Sequence, residues 1–307
     1  MGDTIGGRRR IFCRIMKVSL VIVSKDEPAL ADTLDAVEKL TSGLLDEVVV
    51  VDASQRRLDQ VRTDRPWVVW HDYEQPGGVR VTISHQRNIG VARARGDVIV
   101  FIDCGCIPRA HWLDRLLAPI FEEGESVTCG PAASQGRTIY SGPNWWGYTS
   151  ERYVPAAPTI NFAFRREAFD AVGGFDESFA AGEDIDFTWR LNDAGYRLRW
   201  VPNAVVEHEW GDTGRQMRRS FSYGTAWARL FRKHPRRLKV ALKEYPVAVV
   251  YPLFLLGMPL TVRYRAYPLL LLVPLWRARH EEAPLLVLFD HLVQGAGVLA
   301  EMVGLSK

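Results

Sequence analysis

The chain has 307 residues, of which 47% are hydrophobic and 24% charged, enough to bury one sizeable core and too apolar for disorder over most of its length. The formal net charge of +3 is unevenly spread, since residues 213–243 hold ten Lys or Arg and no Asp or Glu, leaving 29 basic against 36 acidic side chains elsewhere. A basic block on an acidic chain argues against a nucleic-acid partner and for a local anionic surface such as lipid headgroups. Cys13, Cys104, Cys106 and Cys129 lack paired metal or redox spacing, which fits a reduced, cytosolic setting. MGDTIGGRRRIFCRI carries basic residues but no apolar run, so residues 1–15 read as a flexible extension rather than a secretory signal.

In chain order, Val18–Val23 is an almost wholly apolar, β-branched run, the pattern of a strand covered on both faces. A polar turn at Ser24–Glu27 leads into a helix on which Leu30, Leu34, Val37 and Leu40 share a face, with Gly43 as its stop. Further strands are expected at Glu47–Val51, Trp67–His71 and Val98–Ile102, alternating with helices over Gln86–Ala94 and Pro108–Phe121, which implies a parallel sheet. Residues 124–165 look irregular, with NWWGYTSERY in the middle and a short strand at TINFAF. A helix over Glu183–Ala194 stopped by Gly195 follows, then two short strands through Val206.

Open parallel sheets bind ligands beyond the carboxyl ends of their strands, which is where Ser24, Asp26, Asp52 and Asp103 fall. No Gly-x-Gly-x-x-Gly follows the first strand and no Gly-Lys-Ser or Gly-Lys-Thr occurs, so dinucleotide-dependent dehydrogenase and P-loop ATPase classes drop out. After the basic block, Tyr245–Val262 is uncharged but broken by Pro246, Pro252 and Pro259. Arg263 and Arg265, a shorter apolar run Ala266–Trp276, and an apolar region Pro284–Leu305 with Asp290 and His291 inside it complete the chain. Pro-broken runs beside a basic block suit a re-entrant or interfacial arrangement better than clean spans, so residues 213–307 are expected to form a membrane-associated helical tail at the cytoplasmic face, after a catalytic domain over 16–212.

Five ordered segments, VSLVIVSKDE, VVVVDAS, HQRNIGVARARGDVIVFID, NFAFRREAFDAVGGFDESF and GEDIDFTWRLNDAGYRLRWVPNAVVEH, resemble glycosyltransferase family 2, from about Val18 to His208. The resemblance implies a GT-A fold, an α/β Rossmann-like sheet flanked by helices, and inverting transfer of a sugar from a nucleotide diphosphate donor, most often a UDP-sugar, to an acceptor hydroxyl. It further implies a donor pocket of Ser24, Asp26, Asp52, Arg87 and Asp103, with Asp184 as general base and Glu183 orienting the acceptor. Arg190 and Trp189 would support them from the same helix, Arg190 as an acceptor-binding residue, while Trp145, Trp146 and Tyr148 would stack on acceptor sugar faces.

One departure stands out: the family's Asp-x-Asp motif reads Asp103-Cys104-Gly105, so one carboxylate expected to ligate Mg²⁺ or Mn²⁺ is missing. A metal set of Asp103, His208 and phosphate oxygens remains open, as does a cation from the basic block in its place. Absence of a Gln-x-x-Arg-Trp motif points to a non-processive enzyme of cell-envelope or exopolysaccharide assembly acting on a glycan or lipid-linked acceptor. The alternative is a catalytically silent nucleotide-sugar-binding or membrane scaffold protein partnering another transferase, suggested by Gly105.

Overall fold

A computed structural model of the chain describes residues 16–41, 43–75, 77, 82–135 and 148–305. The N-terminal half alternates strand and helix: β1 (Val18–Ser24), α1 (Leu30–Thr41), β2 (Glu47–Asp52), a short α2 (Asp59–Thr63), β3 (Val69–Asp72), α3 (Ile83–Arg93) and β4 (Val98–Ile102). These four strands are parallel in the order β3-β2-β1-β4, so the carboxyl ends of β1, β2 and β4 open on one edge. The β-branched runs read from the sequence are buried along the whole of β1 and β4. Helix α3 begins three residues before the expected Gln86, because the Thr82 hydroxyl accepts a hydrogen bond from the His85 amide and caps it. It lies tight on the sheet at Gly90, where a Cβ would sit 2.4 Å from Val21 Cγ1.

Beyond β4 come β5 (Cys106–Pro108), α4 (Trp112–Glu122), β6 (Val127–Cys129), β7 (Ala132–Ser134), β8 (Arg152–Val154), β9 (Asn161–Arg165) and α5 (Arg166–Ala171), then α6 (Glu183–Asp193), β10 (Leu198–Trp200) and β11 (Val206–His208). Pro108, expected to open a helix, instead ends β5, which pairs antiparallel with β11, and the helix starts four residues later. Among the described residues the main sheet continues β4-β9-β6-β10-β8, with β9 antiparallel to both neighbours, and β5-β11-β7 form a second small sheet. Besides β9, the strand expected at TINFAF, the expected irregular region contributes three strands of only three residues each, too short to show a period in sequence.

Two apolar clusters fill the faces of the sheet. One joins β1, β2 and β4 to Leu30, Leu34 and Trp112 of α1 and α4, and the other gathers Phe101, Phe162, Phe164, Phe169, Phe175 and Phe187 under α3, α5 and α6. Asn161, fully buried at the start of β9, ties three segments together: its Nδ2 donates to the carbonyls of Pro131 (3.0 Å) and Ala204 (2.7 Å), and its Oδ1 accepts from Trp112 Nε1 at 2.8 Å.

The tail consists of α7 (Thr213–Lys233), α8 (Leu238–Glu244), α9 (Pro246–Leu256), 3₁₀ turns at Met258–Val262 and Tyr267–Leu271, α10 (Leu272–Arg277) and α11 (Pro284–Met302). The basic block is not a wholly lipid-facing surface. Ala226 and Leu230 of α7 press on Gly182, Lys233 pairs with Asp176 and Asp186, Arg237 with Asp193, and Arg229 and Arg232 with Glu301. The acidic partners lie on the catalytic domain and on α11, so the charge purity of the block reflects pairing across the tertiary structure as well as any lipid contact.

Replacing Asn161 by Ala takes the side-chain partner from the buried Trp112 indole N–H and from the Ala204 carbonyl and leaves the Pro131 carbonyl with the Val206 amide alone, and the expected loss is about 2–4 kcal/mol of unfolding free energy. Urea denaturation followed by circular dichroism measures it.

Candidate active site

At the tips of β1 and β2, Asp52 Oδ1 accepts from the Ser54 amide (3.1 Å) and hydroxyl (2.5 Å), while Ser54 Oγ accepts from the Asp26 amide at 2.7 Å. This turn holds Asp26 in the left-handed region, φ +57°, and sets its carboxylate against the Arg57 guanidinium, Nη2 to Oδ1 2.5 Å, at an exposed rim. Gln86 on α3 donates to the carbonyls of Ser24 (3.1 Å) and Val51 (3.3 Å), pinning the two strand ends side by side. Ser24, Asp26 and Asp52 thus belong to one constellation. Ser54, Arg57 and Gln86 belong to it too, although sequence reasoning passed over them.

The next residue of α3 links this edge to the proposed base. Arg87, 3% exposed, donates through Nη2 to Asp103 Oδ1 at 2.7 Å and through Nη1 to Glu183 Oε1 at 3.1 Å. Burial opposes its charge, but Asp103, Glu183 and Asp184 together raise its pKa, so it stays a cation at any physiological pH. Its guanidinium also lies 5.6 Å and 5.5 Å from the ring centroids of Phe101 and Phe175, which fix its plane.

Glu183 and Asp184 open α6 behind Gly182, whose φ of +79° turns the chain into the helix, and the Asp184 carboxylate accepts from the Ile185 amide at 2.7 Å. Burial, and next the neighbouring Glu183 charge, push Asp184 up to about 7, against the pull of Arg87. Burial likewise raises Glu183, with Arg87 opposing. A half-buried carboxyl with a pKa near neutrality, beside a second acid that hydrogen-bonds Arg87, is matched to general-base work.

Asp103 and His208 meet across Gly105. A Cβ on Gly105 would sit 3.9 Å from His208 Nε2, and the Asp103 charge acts on the imidazole. Burial lowers the His208 pKa, and its Nδ1 is buried without a hydrogen-bond partner. Cys104 offers no replacement for the missing acid: burial pushes its thiol up to about 12, and Sγ faces the Glu27 carbonyl at 3.8 Å. The described residues contain no group of three metal-ligating side chains. Asp103 and His208 are two donors, a set that holds a divalent ion well only when further oxygens join.

Two residues of α7 reach this centre and were missed in the sequence. The Arg219 guanidinium lies 5.5 Å from the Trp210 ring centroid and donates to the Trp210 carbonyl and to Gln216 Oε1 (2.9 Å), while Trp210 stacks 4.7 Å from His208. Among the described residues the Arg219 Nε has no hydrogen-bond partner, and the Arg219 charge is felt at His208. One turn on, burial raises the Tyr223 phenol to about 12, with contributions from Asp184, Glu183 and Asp103. Both lie in a segment that reads by composition as a basic helix, so only its packing reveals them.

Arg190 was expected at the acceptor. It is committed inside the fold instead, donating to Asp186 (2.9 Å) and to the carbonyls of Val172 (2.6 Å) and Gly174 (2.7 Å), which hold the loop before α6. Trp189 is fully buried against Tyr245 and Trp227, and Tyr148 packs on Trp200. Trp145 and Trp146 lie outside the described residues.

Strand-end acids, a buried arginine clamp and an acidic helix start on a mixed sheet define a GT-A transferase fold. Residues 19–176 match the model of glycosyl transferase family 2, and residues 145–284 match that of glycosyl transferase family group 2. The chain belongs to glycosyl transferase family 2. It is 32% identical over 164 residues to a pre-mycofactocin glycosyltransferase of Mycobacterium tuberculosis (48% of this chain, 35% of the relative) and 26% identical over 152 residues to the glycosyltransferase AglE of Haloferax volcanii (45% and 48%). The matched segments thus span half or less of these relatives' lengths. Among solved structures, the mannosyltransferase PcManGT of Pyrobaculum calidifontis, in complex with GDP-Man and Mn²⁺, superposes with a TM-score of 0.65 at 16% identity, covering 94% of this chain and 87% of that one. GalNAc-T7 with UDP, GalNAc and Mn²⁺ gives 0.52 at 20% identity, covering 68% and 50%.

Because the folded state holds the Asp184 proton to about pH 7 while an unfolded carboxyl releases it near 4, this group's stabilising contribution is complete below about pH 4 and is lost as pH rises through 7. Asp184→Asn removes that loss. The melting temperature of the variant relative to wild type is therefore expected to climb across this window, which paired thermal melts on either side of it test.

Proposed function

We propose that the protein transfers a sugar from a nucleoside diphosphate donor to an acceptor hydroxyl with inversion at the anomeric carbon. The observation that carries this reading is the Arg87 clamp, which sets Asp103 of the donor edge and the Glu183–Asp184 pair around one point. In it, Asp52 and Asp26, with Ser24, face the base and ribose, whose N–H and O–H groups donate to carboxylates. Asp184 takes the acceptor proton as the hydroxyl attacks from the face opposite the diphosphate, and Glu183, held by Arg87, orients the acceptor.

The leaving diphosphate needs cations. Arg219 and His208, both beside the Trp210 ring, supply this charge in our reading, with the Tyr223 hydroxyl adding a donor from the same helix. A divalent ion, when bound, would be held by Asp103 and His208 with phosphate oxygens and would add positive charge at the same place. The Mn²⁺ and the UDP or GDP-sugar named for the two structural neighbours support a metal and either nucleotide, with a UDP-sugar the first to test. The exposed apolar tail supports work at a membrane, and the reading puts this at the cytoplasmic face, on a glycan or lipid-linked acceptor of envelope or exopolysaccharide assembly.

Donor turnover by the purified protein tests the reading. Asp184→Asn is expected to lower kcat by roughly 10²–10⁴-fold with donor binding kept, and a wild-type protein that binds donor but turns nothing over would instead mark a silent binder. Arg219→Gln should lower kcat roughly 10²-fold, more than it weakens donor binding, if the guanidinium meets charge that grows in the transition state.

Gly105→Asp restores the missing acid at a position with ordinary space, 3.6 Å from Ala29 Cβ, and with a φ of +85° that Asp tolerates better than most residues. The variant is expected to bind Mn²⁺ more tightly than wild type, read by calorimetry without substrate. Equal affinity would show that the third ligand position is not at residue 105.

A further inference from the structure

Residues 245–280 contain four Arg and no Asp or Glu. They form α9, α10 and three 3₁₀ turns, the last at Ala278–His280, elements that pack on one another in series and then on α11. Tyr245, Tyr251 and Phe254 are buried, but many of the other large apolar side chains are turned out: Val262 is 90% exposed, Leu253 62%, Leu270 56% and Trp276 63%, and Leu285 and Phe289 of α11 extend the same character. A soluble domain rarely leaves so much apolar surface uncovered. The backbone is nevertheless self-satisfied, since 3₁₀ bonds such as Leu260 N to Gly257 O (2.8 Å), Arg263 N to Leu260 O (3.0 Å) and Leu269 N to Ala266 O (3.0 Å) run through the turns. That is what a surface bordering hydrocarbon requires, because lipid offers a bare amide no partner.

The reading of α11 as a spanning helix fails on its own packing, although its 19 residues would reach about 28 Å, close to a bilayer core. Asp290, near its middle, is fully buried and accepts from Gln216 Nε2 (3.1 Å) and from the Ser220 hydroxyl of α7. Gly297 meets Gly224 with no room for a Cβ, Gly295 does the same against Tyr251 of α9, and Glu301 pairs with Arg229 (2.9 Å) and Arg232. Passing α11 through a bilayer would break all of these and leave a carboxylate in hydrocarbon. Helix α9, at 11 residues, covers only about 16 Å and is likewise too short to span.

We infer that the protein is monotopic: α11 is an internal scaffold clamped to α7, and the segment 253–276 lies in the plane of an anionic bilayer, sunk into one leaflet. The charge pattern selects the lipid. Arg263, Arg265, Arg277 and Arg279 are exposed and flank the inserted Leu and Trp side chains, with Lys239 and Lys243 of α8 exposed beside Leu238 and Leu242. Such cations can reach anionic headgroups while their stems lie along the apolar layer. This inference rests on the membrane placement proposed above and is independent of the transfer chemistry.

The test is flotation of the full chain with preformed vesicles of phosphatidylcholine alone or with added phosphatidylglycerol, in the absence of donor and acceptor. Wild type is expected to float with the anionic vesicles and to stay largely in solution with the neutral ones. Arg263→Gln with Arg265→Gln should weaken partitioning roughly thirtyfold, from about 1 kcal/mol per arginine. Leu270→Glu with Leu272→Glu should abolish flotation while donor binding, followed by nucleotide fluorescence titration, stays at wild-type level, which shows that the variant is folded. Bromine placed on the acyl chains should quench wild-type tryptophan emission and quench Trp276→Phe less. Equal flotation with neutral and anionic vesicles, or unchanged flotation of the Glu pair, overturns the inference. So does a protein that ignores vesicles and whose dimer the Glu pair dissolves, since the apolar face would then belong to a second copy. None of these outcomes depends on turnover, so a failed transferase reading and a failed membrane reading are told apart.

Discussion

Arg87 sits buried between Asp103 of β4 and Glu183 of α6, and the rest of the site is arranged around that cation. A buried charge is tolerated only when it is paired, and removing one partner of such a pair is strongly destabilising, so the three residues fix the strand tip, α3 and the start of α6 at one separation. Arg87 bonds Glu183 directly, and burial raises the pKa of both that acid and its neighbour Asp184. The Asp184 pKa near 7 follows from burial and from the neighbouring acid rather than from any property of its own.

The same economy governs the helix after His208. Helix α7 lies close to Gly182, bringing Tyr223 to the acids and Arg219 to His208, and Gly182 permits it because a side chain there would strike Ala226 and Leu230. Farther along, Asp186 is fully buried and receives both Lys233 (2.7 Å) and His234 (2.8 Å), so the helix bearing the proposed base is held by the tail at a second point. The tail therefore completes the catalytic domain as well as extending it. A charge change in α7 is expected to act on the site even where it touches no ligand.

Gly105 leaves the Asp103 edge with one acid fewer than an Asp-x-Asp pair would supply. Where a second carboxylate would draw a metal ion close, this chain has a glycine facing an imidazole, a protonated thiol beside it, and an arginine stacked one ring away. Asp103 remains, but one of its oxygens is already shared with Arg87. Any divalent ion at this place therefore depends more on the donor's own phosphates than on the protein.

The sequence by itself determined the parallel half of the sheet, because β1, β2 and β4 are buried on both faces and such strands must be written as unbroken apolar runs. It also placed Asp52, Asp103 and the Glu183–Asp184 pair at element ends, where turn and cap chemistry is local, and the broken apolar tail was legible from its prolines. Only the tertiary structure decided that Arg87 joins two acids and that Arg190, on the same helix as the proposed base, faces inward to hold a loop. Only it turned part of the basic block into ion pairs, brought Arg219 to His208, and kept Asp290 of α11 inside. These are contacts between segments distant along the chain, and composition and periodicity, which report which face of an element is apolar, carry no record of the partner that the face will meet.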